Sequence, residues 1–192
     1  MGFYDNEKTA NQYIDMAEGF DGRDLIGVLR KHVPQDARVL ELGMGPGTDL
    51  GLLKRHYRAT GSDTSRFFLD RYRDLYPDAD LIHLDAVELD TERTFDCNYS
   101  NKVLHHFTEQ ELSKSISRQQ AILSGAGFIM HSFWRGTGVE EHHGLKFVYQ
   151  TESSLRLMFG KVFDILDIVV YKEMEEDDSL YVLATSRNGC CS

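Results

Sequence analysis

Cysteine is scarce in this 192-residue chain, with three residues: Cys97, Cys190 and Cys191. The last two are adjacent, too close to brace a fold and not at zinc-ligand spacing, and Cys97 falls in a run that reads as a buried strand. A disulfide framework and a cysteine zinc site are therefore not expected, and a reducing, cytoplasmic setting is the default. No apolar run approaches the ~20 residues needed to span a bilayer. The N-terminus, MGFYDNEKTA, has no basic stretch leading into an apolar one, so neither a membrane span nor a secretory signal is expected. Gly2 invites a lipidation reading that the charges around Lys8 do not support. Positive charge is also in deficit, with 21 Lys and Arg against 31 Asp and Glu and a formal net charge of -10. This disfavours a partner held by clustered phosphate contacts, so nucleic acid is not an expected partner. Repeats, low-complexity tracts and a convincing linker are absent too, which leaves one domain over residues 1–192 as the expectation.

What is present is organised around VLELGMGPGTDL, Val39 to Leu50. VLEL reads as a buried strand, GMGPG places glycines at alternate positions (Gly43, Gly45, Gly47), and Thr48 to Tyr57 reads as a helix. Strand, glycine-rich turn and helix make a nucleotide-binding corner, where the backbone passes close to a ligand.

Around this corner the pattern alternates. Residues 4–32 read as helical with a break near Gly19 to Gly22, from apolar positions such as Tyr13 and Met16, then Leu25, Val28 and Leu29. Pro34 stops that segment. Strands are expected at 38–42, 59–63, 80–84, 95–100 and 127–133, with crossover helices at 64–75 and 108–123. Thr108 and Glu111 form a capping-box pattern at the start of the latter. Residues 134–150 read as the longest irregular segment. A helix at 151–159, capped by Thr151, and strands at 162–171 and 180–186 close the chain, the last two as a hairpin because no helix fits between them. The fold class expected is α/β: a doubly wound, mostly parallel seven-stranded sheet with helices on both faces and a terminal antiparallel hairpin. Residues 1–34 form an N-terminal helical lid and 36–186 the core.

Ligands bind at the carboxyl ends of such strands. Glu41 and the glycines lie there, as does Asp63 about 20 residues beyond the loop, where an acid can accept the hydrogen bonds of a ribose diol. Asp85 and Ala86 follow the third strand, and SNKVLHHF, Ser100 to Phe107, follows the fourth. A nicotinamide dehydrogenase would also use such an acid, but its G-x-G-x-x-G places the third glycine one residue later than Gly47.

The stretches ELGMGPG, GSDTS, HLDA and SNKVLHHF resemble, in order and spacing, the motifs of class I S-adenosylmethionine-dependent methyltransferases, over Asp36 to Ser186. The resemblance implies S-adenosylmethionine as cofactor and a role for each motif. Gly43, Met44, Gly45 and Gly47 pass the methionine part, and Glu41 steadies the loop. Asp63 takes the ribose hydroxyls, with Thr64 beside it under the adenine, while Asp85 and Ala86 meet the adenine edge. Ser100 and Asn101 line the wall near the methionine amino group. A cationic sulfonium suits acids and carbonyls better than a phosphate nest.

His105 and His106 are candidate bases, since histidine titrates nearest neutral pH; packing is the competing reading of this pair. Tyr4, Tyr13, Trp134, Arg135 and His143 are candidate acceptor contacts. Glu140, Glu141, His142 and His143 are adjacent, and adjacent ligands rarely converge on one ion, so no metal is expected. The acidic balance, the lack of an appended domain and the lack of an Asn-Pro-Pro-Tyr motif point to a small-molecule acceptor. Methylation of a protein or tRNA, and a non-catalytic cofactor-binding subunit, remain alternatives.

Overall fold

The computed structural model describes residues 7–17, 19–142 and 144–187. The elements run α1 (Glu7–Ala17), α2 (Arg23–Leu29), β1 (Arg38–Leu42), α3 (Thr48–Leu53), β2 (Arg58–Asp63), α4 (Arg66–Leu75), β3 (Leu81–His83) and β4 (Phe95–Asn101). A 3₁₀ turn (Leu104–His106) follows, then α5 (Glu109–Ile122), β5 (Leu123–Trp134), β6 (Val139–His142), β7 (Leu145–Val148), α6 (Glu152–Phe159), β8 (Phe163–Tyr171) and β9 (Ser179–Ser186). Seven strands are ordered β3-β2-β1-β4-β5-β9-β8, and β6 pairs with β7 alone. β9 is antiparallel to both β5 and β8, so the expected sheet with its closing hairpin is the one observed. The chain divides into two compact units, one ending at Ala86 and one starting at Val87.

In the first unit β1 buries every residue after Arg38, as a parallel strand covered on both faces must. It pairs in register with β2, Glu41 opposite Gly61 and Leu42 opposite Ser62. α4 turns Phe68, Leu69 and Tyr72 inward, and the Ser65 hydroxyl caps it by accepting from Phe68 N. The break between α1 and α2 falls where expected, with Gly19 left-handed at φ 88°. α3 is shorter than its sequence suggests. It ends at Leu53, where Tyr57 N and His56 N both return to the Leu53 carbonyl, tightening the chain so that the Tyr57 ring enters the core ahead of β2.

In the second unit β4 is buried along most of its length, including Phe95, Cys97 and Tyr99. The capping box at the start of α5 is complete: Glu111 N donates to Thr108 Oγ1 at 3.3 Å and Thr108 N to Glu111 Oε2 at 2.8 Å. α5 ends at Ile122, and β5 begins at once, four residues before its expected start. The segment read as irregular after β5 is an antiparallel hairpin instead, Glu141 opposite Lys146 and Glu140 opposite Phe147. Left-handed glycines at 136, 138 and 144 bracket two strands too short to show a period. Thr151 caps α6 as expected.

Replacing Thr108 with Ala removes the Oγ1 acceptor at the head of α5. The expected loss is about 1 kcal/mol in urea unfolding; an unchanged midpoint would show that the box contributes nothing.

Candidate active site

The first unit builds an acidic cradle. β1 ends in the loop 43–47, whose three glycines all have positive φ: 65°, 49° and 85°. A Cβ on Gly47 would lie 2.3 Å from the Tyr72 ring, so this glycine is required by packing against α4 as well as by its backbone conformation. A Cβ on Gly45 would approach only the Tyr13 ring, at 3.4 Å. Tyr13 also meets Phe68 edge-on, with centroids 6.1 Å apart, so this α1 tyrosine lies over the glycine loop. Met44 turns its side chain into the core, where its Sδ would be 2.6 Å from a Cβ on Gly61. It holds the loop through its backbone, Met44 N donating to Ser62 O at 2.8 Å.

Asp63, the last residue of β2, joins two elements. Its Oδ2 accepts from Gly45 N at 2.9 Å and its Oδ1 from Ser65 N at 2.8 Å. One carboxylate thus holds the glycine loop and the entry to α4. Glu41, at the end of β1, is buried and its Oε2 has no hydrogen-bond partner. Burial first, then Asp49 and Asp63, push its carboxyl well above the usual range. Asp49, in the first turn of α3, is buried too and accepts from Gly22 N at 2.7 Å.

Three carboxyls with an unpaired buried oxygen form a place for a cation or for N–H and O–H donors, and a poor place for a phosphate. Asp49 carries no motif that marks it, because an acid in a first helical turn reads as an ordinary response to the helix dipole. Around this cradle Thr64 and Asp85 are exposed and Ala86 is buried. His83 Nε2 lies 2.9 Å from the Thr64 carbonyl, and Leu84 N donates to Asp63 O, drawing the end of β3 to the end of β2.

In the second unit the SNKVLHHF segment leaves β4. Ser100 is wholly buried, with its Oγ 2.8 Å from His131 Nδ1. His131 Nε2 lies 2.8 Å from Gln119 Oε1, and Gln119 Nε2 donates to Ser115 Oγ. The chain of bonds is consistent when His131 is protonated at Nε2, so the Ser100 hydroxyl donates inward to Nδ1 and its side chain is committed to the core. Burial lowers the His131 pKa to about 3. Asn101 Oδ1 accepts from Ser132 Oγ at 2.5 Å. Nothing in the local pattern marks His131 or Gln119, which meet only through the pairing of β4 with β5 and the packing of α5.

The 3₁₀ turn brings the two predicted histidines together, ring centroids 4.0 Å apart. Phe147, on β7, stacks on His105 at 5.2 Å and meets His106 edge-on at 4.9 Å. His106 Nδ1 donates to the Lys146 carbonyl at 2.6 Å, which leaves Nε2 of the neutral ring as the acceptor. His105 is 2% exposed, and neither of its nitrogens has a partner. Burial lowers both pKa values, that of His105 strongly and with help from the His106 and Lys102 charges. A buried imidazole with two unmet nitrogens is costly for a fold to keep unless something else meets them.

Trp134 and Arg135 lie elsewhere in their contacts. The Lys102 ammonium sits over the Trp134 ring at 3.7 Å. Arg135 reaches Glu152 at 3.5 Å and the Asp177 carbonyl. Glu140 accepts from the Tyr149 hydroxyl at 3.0 Å. Tyr4 and His143 lie outside the described residues. Among the described residues no three His, Cys, Asp or Glu side chains converge as a metal site, and no helix is long and apolar enough to cross a membrane.

A family model described as a methyltransferase domain matches residues 39–127. No curated protein matches the chain. Among solved structures, the 1,6-didemethyltoxoflavin-N1-methyltransferase of Burkholderia thailandensis is 20% identical, with TM-score 0.74, covering 92% of this chain and 86% of that one. An S-adenosylmethionine-dependent methyltransferase from Clostridium acetobutylicum is 12% identical, with TM-score 0.76, covering 93% and 99%. The N-methyltransferase NodS of Bradyrhizobium japonicum, in complex with S-adenosylhomocysteine, is 13% identical, with TM-score 0.71, covering 89% and 90%. Likenesses at these identities are likenesses of fold.

His131 is held neutral by burial, so the folded chain binds its proton more weakly than the unfolded chain, whose imidazole titrates near 6.5. Unfolding therefore takes up a proton below pH ~6.5, and stability falls as the pH drops from there toward the folded value. Between pH 6.5 and 5 the His131 share is about 2 kcal/mol, at about 1.4 kcal/mol per unit. Glu41, with its raised pKa, acts in the opposite sense. Urea unfolding at pH 7.5 and 5.0 should show a shallower acid loss in His131→Asn than in the parent chain. Equal losses would contradict the buried neutral imidazole.

Proposed function

We propose that this chain, a class I S-adenosylmethionine-dependent methyltransferase whose family match spans residues 39–127, methylates a nitrogen or oxygen atom of a small-molecule acceptor. Its cofactor is S-adenosylmethionine, which supplies, when bound, a methyl group already activated on a sulfonium. The observation that carries the acceptor reading is the His105–His106 pair, His105 buried and His106 half-buried, with the His106 tautomer set by the Lys146 carbonyl.

In this reading the acidic cradle holds the cofactor. Glu41, with its unpartnered Oε2, and Asp49 face the cationic end of the ligand, while the glycines of the loop 43–47 offer backbone without side chains. Asp63 takes the ribose hydroxyls, with Thr64, Asp85 and Ala86 at the base. Asn101 and the Ser100 backbone serve the methionine end. Tyr13, over Gly45, is the described part of the lid.

An acceptor nitrogen or hydroxyl that carries a proton must lose it as the new bond forms. Nε2 of His106 takes that proton, and the Lys146 carbonyl steadies the resulting imidazolium through Nδ1–H. His105, already short of partners, stays neutral and offers its nitrogens to the acceptor, and Phe147 gives the apolar wall. Support for a small acceptor comes from the Burkholderia structure, solved with 1,6-didemethyltoxoflavin bound beside S-adenosylhomocysteine, and support for nitrogen from NodS, an N-methyltransferase.

Two substitutions separate the halves of the reading. Asp63→Asn is expected to weaken S-adenosylhomocysteine binding by about 1–3 kcal/mol, the scale of a lost charge-assisted bond; calorimetry with unchanged affinity would remove the ribose role. His106→Ala is expected to lower kcat by about 10²–10⁴, measured by mass detection of methylated product after incubation with a metabolite pool. In the parent chain kcat should fall as His106 protonates, at a pH below the ordinary imidazole value. Full turnover by the variant at every pH would remove His106 as the base.

A further inference from the structure

Lys102 is the residue whose conformation fits its sequence type least well. It lies directly after β4 with φ 55°, left-handed backbone that favours glycine, and it is a lysine. Its side chain is almost closed off, 11% exposed, and all three ammonium protons have acceptors. Nζ lies 2.9 Å from Glu173 Oε2, 2.6 Å from Ser179 Oγ and 3.1 Å from the Phe133 carbonyl. The ring of Trp134, the sole tryptophan of the chain, lies 3.7 Å from it and that of Tyr171 5.4 Å. Two aromatic faces, a carboxylate, a hydroxyl and a carbonyl thus cage this cation.

The cage is itself braced. Tyr171 donates its hydroxyl to Glu173 Oε2 at 3.1 Å. The turn that carries Glu173 closes on Asp178, whose carboxylate accepts from Glu173 N, Met174 N and Glu175 N at 2.9, 2.9 and 2.8 Å. Those bonds draw the Asp178 pKa down to about 2 despite the opposing effect of burial. At the other end the Lys102 backbone is pinned, its N donating to Ser132 Oγ at 3.0 Å, which in turn donates to Asn101. The next residue, Val103, accepts from His106 N at 3.1 Å and begins the 3₁₀ turn.

We infer that Lys102 is a positioning residue: its caged ammonium holds the left-handed turn that directs residues 103–107 out of β4, and so fixes where His105 and His106 stand. This rests on the reading of those histidines as the acceptor-side groups. The side chain does not touch the reaction; it converts a position where glycine would leave the chain free into one where the chain has a single path. Trp134 then serves as a wall of the cage.

The test uses the full chain and three readouts. Lys102→Met empties the cage at similar length, and Trp134 emission should rise as the ammonium over its face is lost. Hydrogen exchange followed by mass spectrometry should speed up on residues 103–107, and kcat should fall on the order of 10- to 100-fold, the scale of a small misplacement. The S-adenosylhomocysteine Kd should stay unchanged. Lys102→Met leaves the mostly buried Glu173 without its cation, which costs stability, so Lys102→Met/Glu173→Gln removes both charges. The expected result is recovered thermal stability with kcat still low. Recovery of both, or unchanged exchange at 103–107 with the cage emptied, overturns the inference. Faster exchange in the variant, with no methyl transfer by the parent chain to any acceptor, sustains the positioning and overturns the catalytic reading of the histidines.

Discussion

One carboxylate, Asp63, holds the corner on which the first unit depends. Its two oxygens accept from Gly45 N and Ser65 N, so the glycine loop after β1 and the chain entering α4 are tied to the same point. A loop of left-handed glycines has many conformations open to it, and a single one is selected here by this anchor, by Met44 N on the Ser62 carbonyl, and by the Tyr72 ring against Gly47. The glycines permit the path. The acid and the tyrosine choose it.

Around that anchor the first unit gathers carboxyl groups. Glu41 is buried beside Asp49 and Asp63, and its unpaired oxygen would be a defect in a protein that bound nothing there. In the proposed reading a cationic cofactor resolves the difficulty, because the same ligand supplies both charge and donors. The second unit handles polarity differently. Its interior histidine, His131, is neutral and bonded at both nitrogens. Its caged lysine has every proton placed, and its one buried imidazole unmet at both nitrogens, among the described residues, is His105. Buried polar groups that are fully met give rigidity, and the group left unmet marks where chemistry is to be sought.

Legibility followed the range of the interaction. β1 reads to the residue because four consecutive apolar or buried positions between Arg38 and the glycines admit no other element. The capping box of α5 reads because Thr108 and Glu111 are three apart and satisfy each other locally. The hairpin β6–β7 does not read, since two four-residue strands between glycines show no period, and their stability comes from pairing with each other and from Phe147 against the 3₁₀ turn. The end of α3 does not read either, because what stops it is the burial of Tyr57.

The sequence alone determined the alternation of strands and helices, the closing antiparallel pair, the glycine corner with its flanking acids, and the presence of two histidines after β4. All of these rest on neighbours in the chain, on spacing, or on residue types that few contexts tolerate. Tertiary structure alone decided that Asp49 joins Glu41 and Asp63, that Ser100 turns inward to His131, that His106 carries its proton on Nδ1, and that Trp134 covers Lys102. Each of these depends on groups brought together from distant parts of the chain. Ser132 lies 30 residues from Lys102, and Ser179 lies 77. No local pattern encodes such a meeting, because the free energy that selects it comes from burial and hydrogen bonding that exist only once the strands have paired.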